Sequence, residues 1–126
     1  MAKPKLISAA PVLSATDVGK TAAWYRDTLG FRTSLFPDGP PHSFCILCRD
    51  GVELMLRHDT APARAERDWD VYLRMEGVDS LHDELAARTA IVEPLRDKPY
   101  RCREFAIEDP DGHRIVFGED TEGGDG

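Results

Sequence analysis

The stretch CREFAIEDPDGHRIVF, residues 102–117, decides the fold of this chain because it describes a β-hairpin. Phe105 and Ile107 alternate with other residues before the DPDG turn, and Ile115 and Phe117 alternate after it. This spacing predicts two strands that share one apolar face. In such a turn proline presets φ, aspartate caps the backbone, and glycine tolerates positive φ.

The same hairpin occurs earlier, in FCILCRDGVELML at residues 44–56. Phe44 and Asp50 each lie 61 positions before Phe105 and Asp111. A strand, a helix and a further strand are predicted before each hairpin. A repeat of this length indicates a duplicated supersecondary unit rather than a solenoid.

The repeat predicts an α+β domain made of two tandem βαβββ modules, at residues 7–57 and 69–118. A polar linker at 58–68 joins the modules. A leader at 1–6 precedes them, and an acidic, glycine-rich tail at 119–126 follows, which we expect to be disordered. Within the modules, the first strand is predicted to run from residue 7 to 15. A short strand is predicted at 91–95.

Composition sets limits on the class of protein. The 126 residues, 41% hydrophobic and 31% charged, suit one globular domain. The net charge of −7 argues against a nucleic-acid partner. No apolar run approaches the roughly 20 residues of a membrane span, and no signal peptide is evident. We therefore expect a cytoplasmic protein with no membrane partner.

Cysteine and histidine residues give no sign of a redox or metal site. Three cysteines, an odd number, argue against a disulfide framework. Cys45 and Cys48 have C-x-x-C spacing, but they lie in a predicted strand and are interpreted as buried structural thiols. Four histidines lack paired metal-ligand spacing and are expected on the surface: His42, His58, His82 and His113.

Two predicted strands carry mixed faces opposite their apolar faces. The mixed face of the strand at 52–57 holds Glu53, Met55 and Arg57. The mixed face of the strand at 70–75 holds Asp70, Tyr72 and Arg74. The helices should pack on the apolar faces of the sheets, while the mixed faces either line a cleft or face solvent.

Several motifs together resemble the vicinal oxygen chelate superfamily, which includes glyoxalases, extradiol dioxygenases, fosfomycin-modifying enzymes and bleomycin-resistance proteins. They are WYRDTLGF at 24–31, GVD at 77–79 and DPDGH at 109–113, set on paired βαβββ modules. The resemblance covers residues 7–118. It implies two curved half-barrel sheets around a cleft lined by the mixed faces, and a homodimer. These motifs mark the fold and leave the chemistry open.

The resemblance also implies where the family's enzymes hold a divalent metal. Here those positions are occupied by Ala10, Asp70, Val116 and Met55. Alanine and valine have no lone pair to donate, and a thioether binds hard divalent cations poorly. The sequence therefore predicts no metal, no other cofactor and no catalytic residues of the usual kind.

Among superfamily members, the chain is closest in type to bleomycin-resistance proteins, which sequester a flat, cationic drug without a catalytic metal. The predicted partner is therefore a cationic or aromatic small molecule. Stacking surfaces would come from Phe36, Trp69, Tyr72 and Tyr100, although each aromatic side chain could equally serve packing. Acids that could meet a cation are Glu53, Asp70 and Glu104. Arg57, Arg74 and Arg103 would neutralise these acids or select an anion, and Met55 and Val116 would complete the cleft.

Two alternatives share this fold. One is a glyoxalase- or dioxygenase-like enzyme, with a metal site rebuilt from Asp70, Glu53 and another group, or with metal-free acid–base chemistry by Asp70 together with Tyr72 or Arg74. The other is a dimeric regulatory module without a ligand. The missing metal ligands favour the binding protein.

Overall fold

The computed structural model describes residues 3–60 and 69–121, which contain two copies of strand–helix–strand–strand–strand. The first module consists of β1 (Val12–Ala15), α1 (Val18–Leu29), β2 (Arg32–Phe36), β3 (Phe44–Arg49) and β4 (Val52–His58). The second consists of β5 (Trp69–Arg74), α2 (Val78–Ala86), β6 (Glu93–Lys98), β7 (Cys102–Glu108) and β8 (Arg114–Asp120). The predicted α+β class and tandem βαβββ order are confirmed.

Each module forms its own four-stranded sheet. The strand orders are β1-β4-β3-β2 and β5-β8-β7-β6, and neither sheet closes into a barrel. The first strand of each module runs parallel to the last, and the remaining pairs are antiparallel. Val12 therefore lies beside Met55, as Tyr72 lies beside Val116.

The helices cover the apolar face of each sheet, and the two modules share one hydrophobic core. In α1 the buried residues include Val18, Ala22, Tyr25 and Leu29, which lie along one side of the helix. Asp17 is the N-cap residue of this helix, and its side chain accepts a hydrogen bond from the Lys20 amide at 3.1 Å. No helix in the described ranges is long and apolar enough to span a membrane.

The second helix obtains its cap from the last strand. Gly77 stands at its N-cap position and has no side chain to accept a hydrogen bond. The Glu119 carboxylate accepts instead from the amides of Gly77 at 3.1 Å and Val78 at 3.0 Å. The prediction of a tail beginning at 119 is therefore wrong for Glu119 and Asp120, which belong to β8. Residues 122–126 lie outside the described ranges.

Three further boundaries differ from the sequence predictions. Strand β1 starts at Val12 rather than residue 7, because its pairing with β4 begins at Val12, and Leu6 and Ile7 are exposed. Strand β6 occupies 93–98 rather than 91–95. It is an edge strand, which tolerates Pro94 and the register shift beside it. Strand β4 includes His58, the first residue of the predicted linker, and residues 61–68 lie outside the described ranges.

The offset between the two hairpins also needs correction. Phe44 pairs with Arg57, whereas Phe105 pairs with Phe117. Phe105 is buried against the helix side, and Phe44 lies on the opposite side of its sheet. The structural counterpart of Phe44 is therefore Glu104, because the connection in the second hairpin is longer than in the first.

The β7–β8 turn joins the two modules. Tyr25 of α1 donates a hydrogen bond from Oη to Asp109 Oδ2 at 2.6 Å. Thr21 Oγ1 donates to Asp111 Oδ2 at 2.7 Å, and the Thr16 amide and hydroxyl both donate to Asp111 Oδ1 at 3.0 Å. His113 Nε2 lies 2.8 Å from the Ser14 carbonyl oxygen. The expectation of a surface His113 is thus wrong, because the side chain is enclosed at this junction.

Candidate functional site

The side of each sheet away from the helices carries the candidate site residues, and we call it the open face. Alternation along β7 turns Phe105 and Ile107 toward the core and Glu104 and Ala106 toward the open face. Although it lies on the open face, the Glu104 side chain is almost fully enclosed, and the residue is 2% exposed.

Two tyrosines bind the Glu104 carboxylate. Tyr72 Oη donates a hydrogen bond to Oε2 at 2.8 Å, and Tyr100 Oη donates to Oε1. Burial, followed by the neighbouring Cys102 and Glu104, raises the pKa of Tyr72. Burial and the Glu104 carboxylate raise the pKa of Tyr100 to about 12. Both phenols therefore keep their protons at neutral pH and serve as donors.

Basic side chains near this carboxylate are engaged elsewhere. Arg74 pairs with Asp120 at 2.5 Å, and Arg114 bridges Glu93 and Glu108, each at 3.0 Å. Within residues 3–60 and 69–121, no lysine, arginine or histidine forms an ion pair with Glu104. The carboxylate thus has two neutral donors and no cationic partner in the described part of the chain.

Aromatic surfaces surround this group. The Trp69 ring centroid lies 5.7 Å from that of Tyr72, and its Nε1 donates to Glu93 Oε2 at 3.2 Å. The Arg74 guanidinium carbon lies 5.4 Å from the Tyr72 ring centroid. Trp69 and Tyr100 remain 41% and 53% exposed, so their rings are accessible to a ligand. The structure brings together Trp69, Tyr72, Arg74, Tyr100, Glu104 and Val116, which we call the Glu104 cluster.

Gly118 makes room for the Tyr72 side chain. A Cβ at this position would lie 1.9 Å from Tyr72 Oη, far inside the contact distance. Gly118 stands beside Glu104 in the β7–β8 register. Sequence reasoning used it only as the end of the hairpin. A glycine inside a strand is itself a signal of a close approach.

The first sheet holds a second group of predicted site residues. Phe36 is half-exposed, with its ring centroid 6.2 Å from that of Phe44. Met55 lies between Val12 and Ile46 in register, so this open face is largely apolar. Glu53 and Arg57 lie on the same face, toward its two ends. This group is separate from the Glu104 cluster.

Two predicted site residues, Asp70 and Arg103, form their contacts outside the Glu104 cluster. Asp70 Oδ2 accepts a hydrogen bond from the Arg114 amide at 2.9 Å and lies 3.9 Å from His113 Nδ1. Arg103 Nε donates to Asp79 Oδ1 at 2.7 Å, at the start of α2, because alternation turns it away from Glu104. The structure therefore does not bring Arg103 to the Glu104 cluster.

Sequence reasoning missed Cys102 and Glu93 as neighbours of the site. Cys102 Sγ lies 3.6 Å from Asp120 Oδ1, on the open face of the second sheet. Its place on this face follows from alternation with Glu104 along β7. Glu93 of β6 accepts hydrogen bonds from Trp69 of β5 and Arg114 of β8. A single sequence does not reveal these contacts between strands.

The positions at which the resemblance implies a metal carry groups that suit a metal poorly. Val116 and Met55 present hydrocarbon and thioether groups, and Ala10 precedes β1. Asp70 is the single carboxylate of the set. Among the described residues, no group of three or more histidine, cysteine, aspartate or glutamate side chains could hold a metal ion.

Comparison with known proteins places this geometry in context. The family model described as Glyoxalase/Bleomycin resistance protein/Dioxygenase superfamily matches residues 8–117. No curated protein sequence matches the chain.

Solved structures share the fold over nearly the whole chain. The bleomycin-binding protein from Streptomyces verticillus, complexed with copper(II)-bleomycin, has 27% identity and a TM-score of 0.74, covering 91% of this chain and 97% of its own. TioX from Micromonospora sp. ML1 has 25% identity and a TM-score of 0.72, covering 90% and 95%. Lactoylglutathione lyase from Agrobacterium tumefaciens has 20% identity and a TM-score of 0.69, covering 92% and 95%, a likeness of fold alone.

Proposed function

This chain belongs to the Glyoxalase/Bleomycin resistance protein/Dioxygenase superfamily, and we propose that it is a metal-free binding protein for a cationic, aromatic small molecule. The observation that carries the proposal is the enclosed Glu104 carboxylate, held by two tyrosine hydroxyls without a basic partner in the described ranges. The binding surface is the Glu104 cluster on the open face of the second sheet.

A buried carboxylate without a counter-ion favours a cationic ligand. Neutral donors stabilise the charge only in part, and enclosure removes the water that would otherwise solvate it. A cation beside Glu104 would supply the missing charge, and the Tyr72 and Tyr100 rings would add cation–π contacts. Trp69 offers an exposed ring on which an aromatic part of the ligand can stack.

The absence of donor groups at the enzyme positions supports binding without metal chemistry. A metal site rebuilt from Asp70, Glu53 and another group would need three donors close together, but no such group of histidine, cysteine, aspartate or glutamate side chains occurs among the described residues. The Asp70 carboxylate also accepts a hydrogen bond from the Arg114 amide. Nothing in the described geometry therefore favours the enzyme over the binding protein.

The likeness to a bleomycin-binding protein suggests the first ligand to test. Bleomycin is cationic and carries an aromatic tail, which suits Glu104 and Trp69. Sequestration of such a toxic compound in the cytoplasm would protect a cell from it.

We extend the proposal to a homodimer formed through the open face of the first sheet. Val12 and Phe36 are exposed there beside Phe44, Ile46 and Met55, and contiguous apolar surface of this kind marks interaction sites. Light scattering is expected to give twice the 14.0 kDa mass of the chain. A monomer at micromolar concentration would contradict this part of the proposal.

The binding proposal is tested by calorimetric titration of metal-free bleomycin into protein treated with EDTA. Glu104→Gln keeps the shape of the side chain and removes its charge, and we expect affinity to fall about tenfold or more, the effect of losing a charge-assisted interaction. Glu53→Gln makes the same change on the first sheet and should leave affinity unchanged. Equal binding by wild type and Glu104→Gln, or binding that requires added metal, would overturn the proposal.

A further inference from the structure

A cavity of about 330 Å³ opens between the two modules, and Arg74 is the one residue of the Glu104 cluster that lines it. Its floor is apolar and comes from both helices, the second sheet and the segments beside them: Leu29, Phe31, Leu73, Met75, Leu81 and Phe117. Neither Glu104, Tyr72 nor Tyr100 lines it. The volume lies at the lower end of the range of small-molecule sites, and it suits a compact bicyclic molecule.

The internal repeat predicts two equivalent junctions between the modules: α1 with the β7–β8 turn, and α2 with the β3–β4 turn. The cavity lies at the second of these. Where α1 meets the β7–β8 turn, the Thr21 hydroxyl donates to Asp111 at 2.7 Å and the contact is closed. The counterparts of these residues in the repeat are Leu81 and Asp50. Leucine has no hydroxyl to donate, and the Asp50 side chain is 83% exposed. The second junction is therefore open, and the apolar side chains behind it form the cavity floor.

Charges at the cavity mouth indicate which ligands would enter. Arg49 donates to the Leu29 carbonyl oxygen at 2.6 Å and pairs with Asp50 at 3.3 Å. Arg74 also reaches the mouth and pairs with Asp120. The exposed Glu76 forms no ion pair in the described part of the chain. Glu76 therefore leaves a negative charge at the mouth without an ion-pair partner among the described residues.

We propose that this cavity is a second binding site, for a compact apolar amine. The hydrocarbon part of the amine lies on the Leu73, Leu81 and Phe117 surface, and its ammonium group faces Glu76 at the mouth. The site is independent of the ligand proposed for the Glu104 cluster, since the two share neither their acidic residue nor their aromatic rings.

Three probes that share one ring system separate the contributions of shape and charge. They are 2-naphthylmethylamine, 2-naphthylmethanol and 2-naphthoate, each titrated into the full chain while methyl and amide NMR shifts are recorded. We expect the amine to bind best and the carboxylate worst, with shift changes at Met75 and Leu81. Tightest binding by the carboxylate, no binding by any probe, or shift changes confined to Tyr72 and Tyr100 would each overturn the proposal.

Two variants test the residues. Glu76→Gln should weaken amine binding about two- to fivefold, the range for an exposed ion pair, and leave the alcohol unaffected. Val52→Trp places a large ring at the half-exposed rim and should reduce binding of all probes about tenfold or more. Leu6→Trp is the control, because Leu6 is also an exposed apolar residue but does not line the cavity.

The same variants show which of the two proposed sites is wrong if one of them does not bind its ligand. Glu104→Gln should leave amine binding unchanged, and Val52→Trp should leave bleomycin binding unchanged. Loss of amine binding in Glu104→Gln would show that the amine occupies the Glu104 cluster, and it would overturn the second site. Unchanged amine binding in both Val52→Trp and Glu76→Gln would overturn it as well.

Discussion

The two modules have the same strand order, but their open faces differ in chemistry. In the first sheet Phe44 pairs with Arg57, and in the second the corresponding pair is Glu104 with Gly118. The row Val12–Met55–Ile46 corresponds to Tyr72–Val116–Ala106. One face is apolar and half-exposed, whereas the other encloses a carboxylate. The repeated topology is thus maintained by the residues facing the helices, and the open faces are left to differ.

The junctions between the modules differ in the same way. The β7–β8 turn is tied to α1 by hydrogen bonds from Thr16, Thr21 and Tyr25. The shorter β3–β4 turn has Leu81 opposite Asp50, and a cavity remains. One junction therefore holds the modules together by hydrogen bonds, and the other leaves a cavity between them.

The largest effect is expected from Gly118→Ala, which breaks the distinction between the open faces. The new Cβ would meet Tyr72 Oη at 1.9 Å, so the ring must move and Glu104 must lose a donor. We expect the free energy of unfolding to fall by about 3 kcal/mol, measured by urea denaturation. Arg57→Ala is the matched change on the first sheet and should cost less than about 0.5 kcal/mol. Equal effects in the two variants would contradict the assignment of Gly118.

A smaller effect is expected from Asp111→Asn, which sharpens the comparison of junctions. Asp111 accepts three hydrogen bonds from Thr16 and Thr21, and asparagine can keep only part of them. We expect a loss of about 1–2 kcal/mol in urea denaturation. Asp50→Asn at the open junction should change stability by less than about 0.5 kcal/mol, because its ion pair is exposed. A larger loss at Asp50 than at Asp111 would reverse the comparison.

The third effect is a pH dependence that belongs to the closed junction. Burial, reinforced by Asp109, raises the pKa of Tyr25 well above its usual 10. Above pH 10 the unfolded chain releases this proton while the folded chain keeps it, so stability falls as pH rises, by at most about 1.4 kcal/mol per pH unit. Tyr25→Phe should reduce this slope between pH 10 and 11.

The slope is expected to persist in part, because Tyr72 and Tyr100 also have raised pKa values. The matched variant Leu85→Met at the corresponding position of α2 should leave the slope unchanged. A Tyr25→Phe protein with the wild-type slope would show that Tyr25 ionises freely in the folded state.

Much of the fold could be predicted from periodicity. Alternation around the DPDG turn predicted both strands of the second hairpin. Strand β1 was extended too far because residues 7–11 are apolar in part, and propensity does not report whether a partner strand exists. The prediction that Phe44 corresponds to Phe105 was wrong. The second turn is one residue longer than the first, so the offset between the two repeats is 60 before the turn and 61 after it.

Less of the candidate site could be predicted. The aromatic and acidic residues of the second sheet were named, but Arg103 was placed beside Glu104, although adjacent residues in a strand point to opposite faces. The partners of Asp70, Asp111 and His113 come from distant parts of the chain. Contacts of this kind depend on tertiary packing, and a single sequence carries no signal for them.

The contact between Glu119 and the start of α2 has a practical consequence for work with this protein. Because the last strand supplies the missing cap of Gly77, the second helix and the end of β8 should gain and lose order together. A deletion that looks like the removal of an acidic tail would therefore weaken a helix more than 40 residues away in sequence. Any truncation or fusion boundary at this end belongs beyond Asp120.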